Sequence, residues 1–320
     1  MPRLADPASL QSLGGRTMGT TWSVRLDNPS MLPLEAIRAA IEGALDLVVA
    51  QMSTWEAGSR ITRFNEAPAG SRHVLEPEFA EVLEGALHWA AASGGAIDPT
   101  IGSLVSLWGF GSHARTLTRL PAPSALAAAR ARVGWQQLEF DGAARTITQP
   151  GGMRLDLSGI AKGFSVDRVA DSLQALGLRD FLVEVGGEVR SSGRRPLGAP
   201  WRVLVEAGPT SVPVALTDMA IATSGNRWHA HELDGRRWSH TIDPRTAEPV
   251  THPLVSVTVL HPQCMHADAL ATVLTVLGPE DGFAFAQRHQ LAALFVREDE
   301  DRHLAAATDG WAAHAQIHAS

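Results

Sequence analysis

FLVEVGGEVRSSGRRPLGAPWRVLVEA, residues 181–207, decides the architecture, because it holds two strand-like runs with no helix between them. FLVEV (181–185) and WRVLVEA (201–207) are followed by two more such runs, LVSVTVL (254–260) and LAALFV (291–296). A doubly wound fold would alternate strand and helix regularly. This succession does not, and it predicts an α+β fold with mixed or antiparallel sheets flanked by helices.

Working outward, MGTTWSVRL (18–26) alternates like a strand, and Leu34, Ile37, Ile41, Leu45, Val48 and Met52 recur at helical spacing behind it. A second helix is predicted over 77–92, with Phe79, Val82, Leu83, Ala86, Leu87 and Ala90 on one face and Gly94 and Gly95 as its stop. The glycine-punctuated loop GGAIDPTIGSLVSLWGFG (94–111) comes next, then a hairpin-like stretch, LEFDGAARTITQ (138–149). LDLSGIAKGFSVD (155–167) reads as a strand turning into a helix that carries Ile160, Phe164, Val169, Leu173 and Leu176 and ends at Gly177. The last predicted helix is HADALATVLTVLG (266–278). With no internal repeat and no low-complexity linker, residues 16–316 read as one domain, at most two intimately packed subdomains, after an extension over 1–15.

The 320 residues are 45% apolar, enough for a sizeable core. The net charge is −7, from 27 basic and 34 acidic residues, and no stretch interleaves Lys and Arg with aromatics as a nucleic-acid groove would. Cys264 is the sole cysteine, which excludes an intramolecular disulfide and a thiolate metal cluster and accords with a reducing compartment. The opening MPRLADPASLQSLGGRTMGTTW has no apolar run long enough for a signal peptide or membrane anchor, so the chain as written reads as cytoplasmic. A periplasmic protein shorn of its export signal would read the same.

Four groups of residues can carry chemistry. At the 155–167 junction, Gly159 and Gly163 permit close backbone approach, a helix N-terminus favours anions, and Lys162 adds positive charge, a combination suited to phosphate. Neither common phosphate-loop motif is present, and the same residues also read as helix caps (Asp156, Ser158) with a solvated first-turn lysine. On the 266–277 helix, Leu270, Val273, Leu274 and Leu277 form the core stripe, which puts Asp268 and Thr272 together on the opposite face. Their neighbours Ala269, Ala271, Thr275 and Val276 are not those of a solvated face, so that face should be covered too. A covered carboxylate and hydroxyl one turn apart are hard ligands suited to Mg²⁺; an acidic first-turn residue favoured by the helix dipole is the plainer alternative. WSHTIDPRTAEP (238–249) offers His240 as a base and Asp243 beside it, although His240 is one of thirteen histidines. Met18, Trp55 and the loop around Ala96, Ile97 and Asp98 form the fourth group and read equally as core and turn.

Taken in order, MGTTW, MSTW and SRITRFN, DPTIG, DLSGIAKGFSVDR, VEVGGEVRSSG, ATSGN, HTIDPRTAEP and ADALATVL resemble the FAD:protein FMN transferase family, the ApbE-type flavin transferases, over about residues 16–297. The resemblance implies Mg²⁺-dependent transfer of FMN from FAD to a threonine, occasionally serine, hydroxyl of a target flavoprotein, with a phosphoester formed and AMP released. It implies a flavin and metal site between the two halves of the chain. Met18, Trp55, Ala96, Ile97, Asp98, Asp156, Lys162 and Ile242 match FAD-contacting positions, and Gly159, Asp268, Ala271 and Thr272 match Mg²⁺ ligands. Trp55 and Phe164 stand where the family commonly has tyrosine, keeping an aromatic face and losing a hydroxyl. After ATSG the sequence departs from the family pattern, and Arg227 or His229 is left without an assigned contact.

The catalytic residues expected on this reading are His240 as base, Asp243 as its orienting or metal-linked partner, and Lys162 as a phosphate cation. Two rivals stay open on sequence alone: a Mg²⁺-dependent FAD pyrophosphatase, in which water attacks the same phosphorus to give FMN and AMP, and a non-catalytic flavin-binding protein.

Overall fold

A computed structural model describes residues 10–208, 210–225, 230–233, 235–299 and 302–317. Its centre is an eight-stranded sheet made of β1 (Leu10–Thr17), β2 (Thr20–Asp27), β3 (Phe181–Val185), β4 (Glu188–Ser192), β7 (Ala220–Gly225), β8 (Leu254–His261), β9 (Ala292–Asp299) and β10 (Arg302–Ala307). A hairpin, β5 (Trp201–Glu206) and β6 (Ser211–Leu216), lies between β4 and β7 in the chain but outside that sheet. The spatial order is β1-β2-β3-β4-β7-β8-β9-β10, and every ladder in it is antiparallel. Of the mixed or antiparallel sheets expected, the antiparallel form is present; the one parallel pairing among the described residues is the isolated bridge Ile101–Arg154.

Strand alternation explains the two covered faces. Val183 and Val185 face one core with α1 (Leu34–Met52) and α3 (Ala161–Ala175), whereas Val189, Ile221, Leu260 and Leu294 point to the other face. There Trp201, Val205, Val214 and Leu216 of the β5–β6 hairpin, with Trp311, cover them. The largest core joins α2 (Pro77–Ala92) and α4 (Cys264–Arg288) to Val257 and Val259 of β8.

Of three local features, the first departs from the sequence reading and the other two accord with it. Residues 10–17, split by the expected boundary at 15, are strand β1, joined to β2 by a turn at Met18 (φ 46°) and Gly19 (φ 73°), a conformation that matches strand twist. LEFDGAARTITQ is a hairpin as expected, and its strands Glu139–Asp141 and Thr146–Thr148 form a small sheet with Arg72–Val74. The helix expected over 266–278 ends as read: Gly278 (φ 86°, ψ −178°) leaves the helical region, and a second helical segment of α4 starts at Pro279 and runs to Arg288. By length and composition α4 would also span a bilayer, but most of its apolar stretch is buried in the core.

Candidate active site

The N-terminal turns of α3 and α4 meet, and their contact sets the floor of the site. Gly163 allows it: a Cβ there would run into the Cys264 carbonyl and lie 2.8 Å from the Asp268 Cβ. The Gly163 N–H, one of the donors left free at a helix start, donates to Asp268 Oδ2 at 2.9 Å. In return Asp167 of α3 accepts from the N–H groups of Cys264 (3.0 Å) and Met265 (2.8 Å), capping a helix whose own N-cap, Gln263, makes no side-chain bond. Arg190 holds the same Asp167 at 2.6 Å.

Above this floor lies a cavity of about 830 Å³. Its wall includes Met18 at the β1–β2 turn, Ala96, Ile97 and Asp98 of the glycine loop, Asp156, Gly159 and Lys162 of the junction, the Gly186–Gly187 turn, His240, Ile242, Asp268 and Thr272. Gly159 sits against α4: a Cβ on it would lie 3.1 Å from Thr272 Oγ1. The two halves of the chain therefore converge on one cleft, with 155–162 on one side and 268–272 on the other.

Charge in the cleft is organised by burial. Lys162 Nζ donates to Glu188 Oε1 at 2.5 Å. Burial alone would lower the Lys162 pKa, but the Glu188 and Asp268 carboxylates raise it above its ordinary value, so the ammonium stays charged. Burial pushes the Glu188 carboxyl up to about 7 against the pull of Lys162. Asp268 is likewise raised by burial, opposed by Lys162 and the Gly163 N–H. Asp268 thus holds a charge-favouring position only as long as cations and donors surround it.

Other expected residues have different surroundings. Asp98 is buried and accepts from Thr100 N–H (2.8 Å), Thr100 Oγ1 (2.7 Å) and Trp135 N–H (3.0 Å), so its carboxylate shapes the loop that borders the cavity. Asp156 Oδ1 accepts from Ser158 N–H at 2.9 Å, a turn rather than a helix cap, and Lys162 is ion-paired rather than solvated. His240 borders the cavity in a T-shaped arrangement with Phe110, 6.4 Å between centroids. Asp243 is not arranged as the partner expected for His240: Arg245 takes both its oxygens, Nε to Oδ1 at 2.9 Å and Nη2 to Oδ2 at 2.8 Å. Trp55 lies off the cavity wall, 69% exposed on the turn after α1, and Ala271 is buried on α4 behind the wall. Arg227 and His229 lie outside the described residues.

Two important acids were missed by sequence reasoning. Glu188 lies 26 residues from Lys162 and Asp167 lies 97 from Cys264, separations that no local pattern reports. The one available signal for Glu188 was its place directly after a glycine pair at a strand start.

The profile of the ApbE family matches residues 18–295, from the β1–β2 turn into β9. The chain belongs to the ApbE family. Among the relatives of this ApbE chain, the FAD:protein FMN transferase of Vibrio cholerae is 38% identical over 301 residues, covering 92% of this chain and 90% of its own. That of Escherichia coli K12 is 33% identical over 309 residues, covering 94% and 88%. The crystal structure of Pseudomonas stutzeri flavinyl transferase ApbE, apo form, superimposes with a TM-score of 0.90 at 37% identity over 96% of each chain. The ApbE structures share this α+β architecture.

Proposed function

We propose that the cleft between the 155–163 junction and the start of α4 is where this FAD:protein FMN transferase moves FMN from FAD onto a threonine or serine hydroxyl of its target protein. The observation that carries the location is the convergence of Lys162, Gly159, Asp268 and Thr272 on one cavity with an anion-favouring helix start.

The donor set fits a hard divalent cation. Asp268 spends Oδ2 on Gly163 N–H, which leaves Oδ1, and Thr272 offers its hydroxyl one turn later beside the Gly159 backbone. Gly159 and Ala271 would add carbonyl oxygens. Mg²⁺ bound there supplies charge neutralisation for the pyrophosphate and the departing nucleotide.

The remaining chemistry falls to the chain's own groups. Lys162 stabilises the same developing charge, and the small residues of the junction let backbone approach the phosphates. Met18, Ala96, Ile97, Asp98, Asp156 and Ile242 bind and orient FAD, with Trp55 stacking from the rim. The acceptor oxygen bonds to the FMN phosphorus, the bond from that phosphorus to the bridging oxygen breaks, and that oxygen leaves on AMP. The hydroxyl proton passes to an imidazole nitrogen of His240, a contribution of about 10²- to 10⁴-fold.

The test is to incubate the protein with FAD, Mg²⁺ and a flavoprotein fragment bearing an acceptor threonine, then measure intact mass. A gain of FMN minus water, abolished by chelator, is expected. Free FMN and AMP without adduct would establish hydrolysis instead, and unchanged FAD would establish binding without chemistry.

A further inference from the structure

Glu188 opens β4 immediately after the Gly186–Gly187 turn and is only 2% exposed, yet it borders the cavity. One oxygen takes Lys162; the other, Oε2, is buried without a hydrogen-bond partner among the described residues. A buried carboxylate that is half unpartnered is unfavourable on its own. Lys162 is also unfavourably placed, because a cation in the first turn of a helix opposes the helix dipole. Each is held where it is by the other: Glu188 needs a cation to be buried, and Lys162 needs an anion to stay in the first turn of α3.

The consequence concerns reach. A lysine head on a four-carbon stem samples many rotamers, and fixing it in advance removes an ordering cost at the moment of reaction. Lys162 keeps about a third of its side chain exposed while the Glu188 side chain is almost wholly covered, so the pair presents the ammonium and hides the acid.

We propose that Glu188 is a positioning residue for phosphoryl transfer, anchoring the Lys162 ammonium at the cavity floor. The proposal rests on the reading of this cavity as the FAD site. Glu188 also neutralises Lys162 in the free enzyme, so loss of its charge should leave FAD binding equal or tighter while transfer slows. A residue that merely supported the fold would weaken both.

The experiment is a cycle of Glu188→Gln, Lys162→Met and the double variant, with Glu188→Asp as the conservative control. Dissociation constants for FAD come from flavin fluorescence, transfer rates at saturating FAD from intact mass, and integrity from melting temperature. Glu188→Gln is expected to slow transfer about 10- to 100-fold, with FAD affinity unchanged or a few-fold tighter. Glu188→Asp should recover part of the rate, and the double variant should be no slower than Lys162→Met, because Glu188 acts through the lysine. A Glu188→Gln rate within about twofold of the parent, fully multiplicative effects in the double variant, or a rate loss that follows melting temperature without rescue by Asp would each overturn the proposal. Failure of the parent protein to bind FAD would overturn the underlying reading of the cavity. Normal binding and transfer by the parent with a multiplicative cycle would overturn the role of Glu188 alone.

Discussion

Asp167 and Asp268 cap each other's helices. Asp167 of α3 accepts from the first N–H groups of α4, and Asp268 of α4 accepts from Gly163 N–H in the first turn of α3. The exchange satisfies donors that would be orphaned in a buried contact and fixes the register of the two helices that face the cavity.

The two acids should nevertheless fail differently when replaced. Asp167→Ala strands two buried N–H groups and Arg190, and it should cost about 3–5 kcal/mol in urea unfolding. Asp268→Asn keeps an acceptor for Gly163 and removes a charge that burial disfavours, so stability should hold or rise. Its cation-dependent transfer should be lost, because the site's charged ligand is gone. An Asp268→Asn enzyme with parental activity would place the cation elsewhere.

Gly163→Ala should break the same contact sterically. The added methyl meets the Cys264 carbonyl, which is backbone and can give way only if the two helices part. The expected cost is about 1–3 kcal/mol by denaturant titration, together with weaker Mg²⁺ dependence of transfer. The same change at exposed Gly43, where a Cβ meets nothing and the residue lies within helix α1, should stabilise by up to about 1 kcal/mol and serves as control.

How much of this was legible beforehand depended on the range of each interaction. Helical spacing alone located α2 at 77–92 and paired Asp268 with Thr272, because both are consequences of one helix's periodicity. The break in α4 at Gly278 was legible too, since glycine followed by proline ordinarily ends a helix. The partner at that end was not legible: Pro279 has no N–H for the Thr275 carbonyl, and the His252 ring nitrogen Nε2 takes that carbonyl at 2.6 Å. Strand β1 was overlooked because LQSLGGRT carries two glycines and weak alternation, and only its ladder to β2 makes it a strand. The Asp243–Arg245 fork was equally unreadable, because a nearby histidine suggested a more familiar partner.

The His252 bond predicts a pH dependence. Bonding Thr275 through Nε2–H leaves Nδ1 to accept from Leu254 N–H at 3.3 Å, which requires the neutral ring. Burial lowers the pKa of His252 and His261, and burial with neighbouring His261 and His88 lowers that of His266 to about 4. For a histidine depressed in the folded state, the unfolded chain binds more protons below about pH 6.5. The histidine contribution to stability should therefore be level above about pH 7 and fall as pH drops from about 6.5 towards 4, while Glu188, raised to about 7, contributes the opposite slope. Urea midpoints of the parent and of His252→Gln measured across that range test it, and the parent's advantage over the variant should shrink as pH drops. A difference between parent and His252→Gln midpoints that grows in the parent's favour on acidification would contradict the neutral assignment.

Trp55 supplies the last test, because its exposure separates folding from binding. A side chain 69% exposed on a surface turn contributes little packing, so Trp55→Ala should change unfolding free energy by no more than about 0.5 kcal/mol. If its ring stacks on flavin from the rim, the same change removes an aromatic contact of about 1 kcal/mol and weakens FAD binding roughly fivefold. Trp55→Tyr should then behave like the parent, since the stacking face is what matters. Equal FAD affinity in Trp55→Ala and parent, measured by flavin fluorescence, would remove Trp55 from the site and leave FAD held by Met18, the 96–98 loop, Asp156, Lys162 and Ile242.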